Sequence, residues 1–193
     1  MAVTGHTGVV TDQARRGDAH DLIEVVVEIP SGSRNKYEFD HQRHRFVLDR
    51  VLYSSVHYPC DYGYIEGSLA EDGDPLDVLI VIAEPTFPGC VVRARPIGVL
   101  DMADEKGHDY KILAVAHDDP RWEEAATLED VSPHRLREIE NFFQTYKALE
   151  RRPTDVRGWL SVTDAWRIIG QAMEAGSSAG TNPSSRPEPG TWR

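Results

Sequence analysis

The stretch Asp72-Gly73-Asp74-Pro75-Leu76-Asp77-Val78-Leu79-Ile80-Val81-Ile82-Ala83 sets three carboxylates within six residues against the longest apolar run of the chain. Asp, Gly and Pro make the first half a turn, and Val78 to Ala83 reads as a core strand. The acids therefore stand at the mouth of a buried element. No Lys or Arg lies between Ile65 and Arg93, so no cation close in sequence relieves the crowding. Carboxylates held this close repel one another unless they are protonated or a cation intervenes. Oxygen-only ligands favour a hard ion such as Mg²⁺, Mn²⁺ or Ca²⁺ over zinc. On spacing alone a solvated surface turn has the same composition. An EF-hand does not fit, because its glycine and closing Glu are missing.

Outward from this stretch, residues 22–117 read as short strands separated by turn residues. The strands are expected at 22–29, 36–40, 45–53, 62–65, 78–83, 91–100 and 110–116, with Pro30-Ser31-Gly32 and Pro88-Gly89 among the turns. Short strands without intervening helices predict an antiparallel barrel rather than alternating βα units. From Ser132 the period becomes helical. Ser132 is a suitable N-cap and Pro133 suits the first turn, and Leu136, Ile139, Phe142, Phe143, Tyr146 and Leu149 follow at helical spacing. A second helix is expected from Val162 to Ala175, with Val162, Trp166, Ile169 and Met173 on its apolar stripe. The fold class is thus mainly β with α: an OB-like five-stranded antiparallel barrel with additional strands and two C-terminal helices. One domain spans 22–175, between a flexible arm (1–21) and a Gly/Ser/Pro-rich disordered tail (176–193).

The chain has 193 residues, 40% apolar and 27% charged, with 21 Lys+Arg against 32 Asp+Glu. A net charge of −11 repels nucleic acid and anionic membrane over most of a surface. No apolar run suits a transmembrane helix or a secretory signal. Cys60 and Cys90 lack metal-type spacing and are expected as buried thiols in a reducing cytoplasm. A second acidic set, Asp101, Asp104, Glu105 and Asp109, falls between two predicted strands. Lys36, Arg50 and Lys111 are interleaved with acids in strand-like contexts, a pattern suited to a compact polyanion whose charge is shared by metals and fixed cations.

These residues resemble soluble inorganic pyrophosphatase of family I, bacterial type. Asp72-Gly73-Asp74-Pro75-Leu76-Asp77 matches the family's Asp-x-Asp-Pro-hydrophobic-Asp pattern. The resemblance continues in order through Val27-Glu28-Ile29-Pro30, Lys36-Tyr37-Glu38, Asp49-Arg50 and Tyr58-Pro59-Cys60-Asp61-Tyr62-Gly63-Tyr64. It then takes in Asp104-Glu105-Lys106-Gly107-His108-Asp109-Tyr110-Lys111 and Phe142-Phe143-Gln144-Thr145-Tyr146-Lys147. Two places depart from the pattern: His108 and Tyr110 fill variable positions, and Glu150-Arg151-Arg152-Pro153 replaces a Gly-Lys-type stretch.

The resemblance implies Mg²⁺-dependent hydrolysis of pyrophosphate to two phosphates by direct attack of a metal-activated water, driving biosynthetic reactions that release pyrophosphate. It implies several Mg²⁺ ions per site, with Mn²⁺ a possible substitute, and a cytoplasmic homohexamer. Asp72, Asp77 and Asp109 would hold the metal beside the attacking water, and Asp104 and Asp109 the metals that arrive with substrate. Glu28 and Glu38 would act mainly through water. Lys36, Arg50, Lys111, Tyr146 and Lys147 would bind phosphoryl oxygens, with Tyr62 beside the nucleophile. Asp74 is the preferred general base, since its neighbours are committed to metal. Asp109 is the alternative, although a carboxylate on two cations is a weak base. His41, His57 and His108 flank the motif blocks.

Two other functions fit parts of this pattern. An OB-like nucleic-acid module would need a basic groove with exposed stacking aromatics, whereas this chain is acidic. A metal-dependent phosphatase for larger esters or polyphosphates would use similar phosphate ligands but would also have to recognise a nucleoside or sugar.

Overall fold

A computed structural model of the chain describes residues 22–40, 42–104 and 107–180. β1 (Ile23–Ile29) buries Ile23, Val25, Val27 and Ile29, with Glu24 and Glu28 between them, the period of two that a strand imposes. β2 (Asn35–Asp40) and β3 (Arg45–Val51) form a hairpin of their own. β4 (Asp61–Ile65), β5 (Asp77–Val81), β6 (Val91–Asp104) and β8 (Lys111–Ala116) close a ring with β1, in the order β1-β4-β5-β8-β6 and back to β1. The two-residue β7 (Gly107–His108) and β9 (Asp155–Leu160) both pair with the far end of β6. Helices α1 (Pro133–Thr145) and α2 (Val162–Gly180) complete the fold.

Four of the five ring seams are antiparallel and β5–β8 is parallel. β6 returns antiparallel beside β8, so β8 enters next to β5 in the same direction. Both strands are nearly continuous apolar runs because both of their faces are covered. Leu79, Val81, Leu113 and Val115 belong to a cluster that reaches Ile139, Phe142 and Phe143 of α1. Val78, Ile80, Ile112 and Ala114 belong to another that reaches Ala165, Ile168 and Ala172 of α2.

All seven expected strands are present, with shifted ends: β3 stops at Val51, β5 at Val81, and β6 continues to Asp104. The region after Ser132 is not wholly helical, because β9 lies between the helices. It is short, interrupted by Gly158 at φ +118°, and held by β6 rather than by a local pattern. Ser132 caps α1 by accepting the Arg135 N–H at 3.2 Å, while Leu149 is exposed rather than packed. The buried stripe of α2 is Ala165, Ile168, Ile169 and Ala172, and Met173 is exposed. Alanines let the helix come close to the barrel. α2 also passes the expected end at Ala175, so residues 176–180, expected as the start of the tail, belong to the helix. The expected arm (1–21) and residues 181–193 lie outside the described residues. Cys60 is buried and its thiol is pushed up to about 12 by burial, whereas Cys90 is only half-buried.

Gly63 sits in β4 between two tyrosines, where a methyl group would overlap the backbone of Val26 in β1. Gly63→Ala is expected to lower unfolding free energy by about 2 kcal/mol or more, the scale of overpacking a tight core. Gly170, in α2, has open space around it, so Gly170→Ala should raise stability by about 0.5–1 kcal/mol. Urea unfolding of both variants checks the pair.

Candidate active site

The parallel register places Asp77 of β5 opposite Lys111 of β8. The Lys111 ammonium donates to the carboxylates of both Asp77 and Asp109, and its side chain is only 4% exposed. Burial alone would depress the Lys111 pKa, but the two carboxylates outweigh it and the ammonium is held well above its ordinary value. Burial raises Asp109, and repulsion from Asp77 and Asp72 raises it further, against the pull of Lys111. Tyr62 of β4 is hydrogen-bonded to Asp77, and burial lifts its phenol well above the ordinary range. Its ring lies 5.7 Å from the Lys111 Nζ. Asp109 of the second acidic set therefore meets Asp72 and Asp77 of the first at one end of the ring.

The turn from β4 to β5 is tightly tied. Ser68 Oγ donates to the Ile65 carbonyl at 2.6 Å and accepts the Leu76 N–H at 2.8 Å. Leu69 N–H donates to the Ala172 carbonyl of α2 at 2.9 Å. Gly73, at φ +90°, supplies the left-handed step that a side chain would resist. Asp72 Oδ1 accepts the Asp74 N–H at 3.1 Å, and burial raises the Asp72 pKa. Asp74 itself is exposed. Its carboxylate lies at the solvent edge of the cluster, unlike Asp77 and Asp109, which Lys111 holds.

Cationic residues rim this cluster. Lys36 and Arg50 stand opposite each other across the β2–β3 hairpin. Lys36 bonds Glu38 and approaches Asp49 at 3.5 Å. Arg50 bonds Asp49, and its Nε donates to Glu150 at 3.1 Å. From α1 and the turn after it, Tyr146 stacks on Phe142 at 5.2 Å, and Lys147 Nζ donates to Asp104 at 2.8 Å. Burial also raises the Tyr146 phenol. Glu28 accepts the Phe39 N–H at 2.9 Å, and burial pushes its pKa to about 7, with repulsion from Asp77 adding.

The residues expected from sequence thus converge, with Asp74 at the exposed edge. Glu150 was not anticipated as part of the site. It reaches Arg50 across 100 positions, and no local pattern signals that contact. Asp61, inside the Tyr58–Tyr64 motif, belongs to the frame instead: it is buried and accepts from Ser31 N–H, Thr86 N–H and Thr86 Oγ. Among the described residues no three Asp, Glu, His or Cys side chains are already gathered around one point at metal-ligand spacing. The Lys111 ammonium takes the position between Asp77 and Asp109. The donors are oxygens only, with Asp72 and Asp109 raised by burial, so a hard divalent cation suits the set.

Residues 25–177 match the sequence profile of the inorganic pyrophosphatase family. An inorganic pyrophosphatase of Nostoc sp. is 53% identical over 154 residues, covering 80% of this chain and 91% of that protein. One from Methanosarcina mazei is 51% identical over 150 residues, covering 78% and 89%. The crystal structure of inorganic pyrophosphatase from Thermus thermophilus superposes with a TM-score of 0.80 at 40% identity, over 84% of this chain and 95% of that one. No helix among the described residues is long and apolar enough to cross a membrane. With the fold, the order of the motifs and these likenesses in agreement, the chain belongs to the inorganic pyrophosphatase family of hydrolases.

Proposed function

We propose that the chain hydrolyses inorganic pyrophosphate to two phosphates by direct in-line attack of water, without a phosphoenzyme, at the cluster around Lys111. The observation that carries this reading is the meeting of Asp72, Asp77, Asp104 and Asp109 with Lys36, Arg50, Lys111 and Lys147 at one end of the ring. A fully ionised pyrophosphate would otherwise be repelled by the acids, and the acids are otherwise short of cations. Asp72, Asp77 and Asp109 would hold one divalent cation, with Asp104 and Asp109 sharing others and Glu28 and Glu38 acting through water. Bound there, Mg²⁺ would acidify water to near neutrality and offset the charge of the diphosphate. Mn²⁺ has similar ligand demands.

The protein's own groups supply the remainder. Asp74, exposed and outside the Lys111 bridge, accepts the proton of the attacking water, while Asp109 is engaged by Lys111. Lys36, Arg50, Lys111, Lys147 and the Tyr146 hydroxyl bind phosphoryl oxygens and stabilise charge growing on the leaving phosphate. Tyr62 stays protonated beside Asp77 and orients that carboxylate. Pyrophosphate fills these contacts alone, with no pocket assigned to a nucleoside or sugar. A cytoplasmic homohexamer belongs to the same reading, and exposed Tyr53, Phe87 and Leu149 offer apolar surface for contact between copies.

Phosphate release from pyrophosphate is expected to require Mg²⁺ and to stop with a strong chelator. Turnover should exceed that of tripolyphosphate or ATP under the same conditions, and equal rates on all three would refute the narrow specificity. Asp74→Asn should fold and take up Mg²⁺ while turnover falls by about a hundredfold, the scale for a general base. Unchanged turnover would move the base elsewhere. Near pH 6.5 the free protein's Glu28 is largely protonated, because its raised pKa keeps the proton bound above the ordinary carboxylate range. Mg²⁺ uptake at that pH should therefore release protons. Calorimetry in buffers of different ionisation enthalpy should show a smaller release from Glu28→Gln.

A further inference from the structure

The hairpin that carries Asp104 and Asp109 is slight. β7 contributes two residues, paired as Ala103↔His108 and Asp104↔Gly107, with one further backbone bond from Asp109 N–H to the Met102 carbonyl at 2.9 Å. On one side His108 and Tyr110 border a cavity of about 310 Å³ between α2 and the acidic turn, so the hairpin is only partly backed there, through Tyr110. Its β6 arm is paired with β9 along Asp101, Met102 and Ala103, and the β7 arm depends on its side chains.

His108 has the contacts to hold that arm. Its Nε2 lies 2.9 Å from Arg157 Nη1 on β9, and its ring lies against that of Tyr110 with centroids 4.9 Å apart. Its Nδ1 lies 3.4 Å from Asp101 Oδ1 on β6. Arg157 is itself held by Asp155 at 3.0 Å. A guanidinium can only donate, so the Nε2 lone pair must accept, and the ring proton of the neutral imidazole sits on Nδ1. That puts the proton on the nitrogen nearer Asp101. His108 Nδ1 and Asp101 Oδ1 are both shielded from solvent and have no hydrogen-bond partner among the described residues. Each is the other's remaining candidate, and burying both unpaired would be costly.

We propose that His108 is a positioning residue: it ties β9 through Arg157 to β6 through Asp101 and so fixes the hairpin from which Asp104 and Asp109 reach the metals. His108 ends β7 and Asp109 follows it with its carboxylate bound by Lys111, so one residue can grip the outer framework while the next reaches the acidic cluster. The assignment rests on the metal roles proposed above. Outer groups that orient metal ligands typically change metal affinity by about 10–100-fold when removed.

The test is the Mg²⁺ concentration giving half of the metal-induced rise in melting temperature, measured without substrate. His108→Phe keeps a ring against Tyr110 but loses both polar contacts, and should need about tenfold more Mg²⁺. His108→Asn, whose amide N–H can replace Nδ1–H toward Asp101, should recover most of that loss. Pyrophosphate turnover by His108→Phe should approach the parent rate at saturating Mg²⁺. Arg157→Met leaves the hairpin sequence intact and should shift the requirement the same way, which keeps the test usable if His108→Phe does not fold. A parent-like Mg²⁺ requirement in His108→Phe or in Arg157→Met overturns the assignment, even if the metal-free melting temperature falls. If the parent protein shows neither metal-induced stabilisation nor Mg²⁺-dependent phosphate release, the metal reading fails and the positioning role falls with it.

Discussion

The Lys111 ammonium, buried between Asp77 and Asp109, is the interaction on which the site depends. It exists because β5 and β8 run parallel and register Asp77 against Lys111. An antiparallel pairing would set the first residue of β5 against the far end of β8 and separate the lysine from the acidic turn. Burying one ammonium with two carboxylates is tolerable only when every charge has a partner. Here the two acids raise the lysine's affinity for its proton, and the lysine restrains the rise in Asp109.

The same economy of charge governs the rim. Lys147 rests on Asp104, Lys36 on Glu38 and Asp49, and Arg50 on Asp49 and Glu150. Pairing holds long side chains in place before an anion arrives, which lowers the ordering cost of binding. It also means that a bound polyanion must compete with these acids for the cations. Divalent ions could draw the carboxylates away and leave the cations to phosphate.

Much of this was legible in the sequence where the signal was local. The acidic turn, the alternation of β1, the capped start of α1 and the Tyr146-Lys147 pair are each written within a few residues. The parallel seam was not, because strand direction depends on how β6 returns to the ring rather than on any one strand's pattern. β9 carries no local signal, because its six residues are held by β6. Large side chains do not mark the stripe of α2, because its buried face carries alanines beside Ile168 and Ile169. The contact between Glu150 and Arg50 spans 100 positions and leaves no periodic trace. Residues that hold others in place, Asp61 and His108 among them, look in sequence much like residues that do chemistry.

Gly176 of α2 packs so closely on the carbonyl of Gly67 that even a methyl group would overlap it, and nearby Ala172 accepts the Leu69 N–H. The loop bearing Asp72, Asp74 and Asp77 is thus fastened to α2, which is synthesised after every strand of the ring. The strands can collapse early in synthesis, but their acidic mouth gains this fastening only when α2 emerges. A nascent chain would therefore acquire its shape before its chemistry.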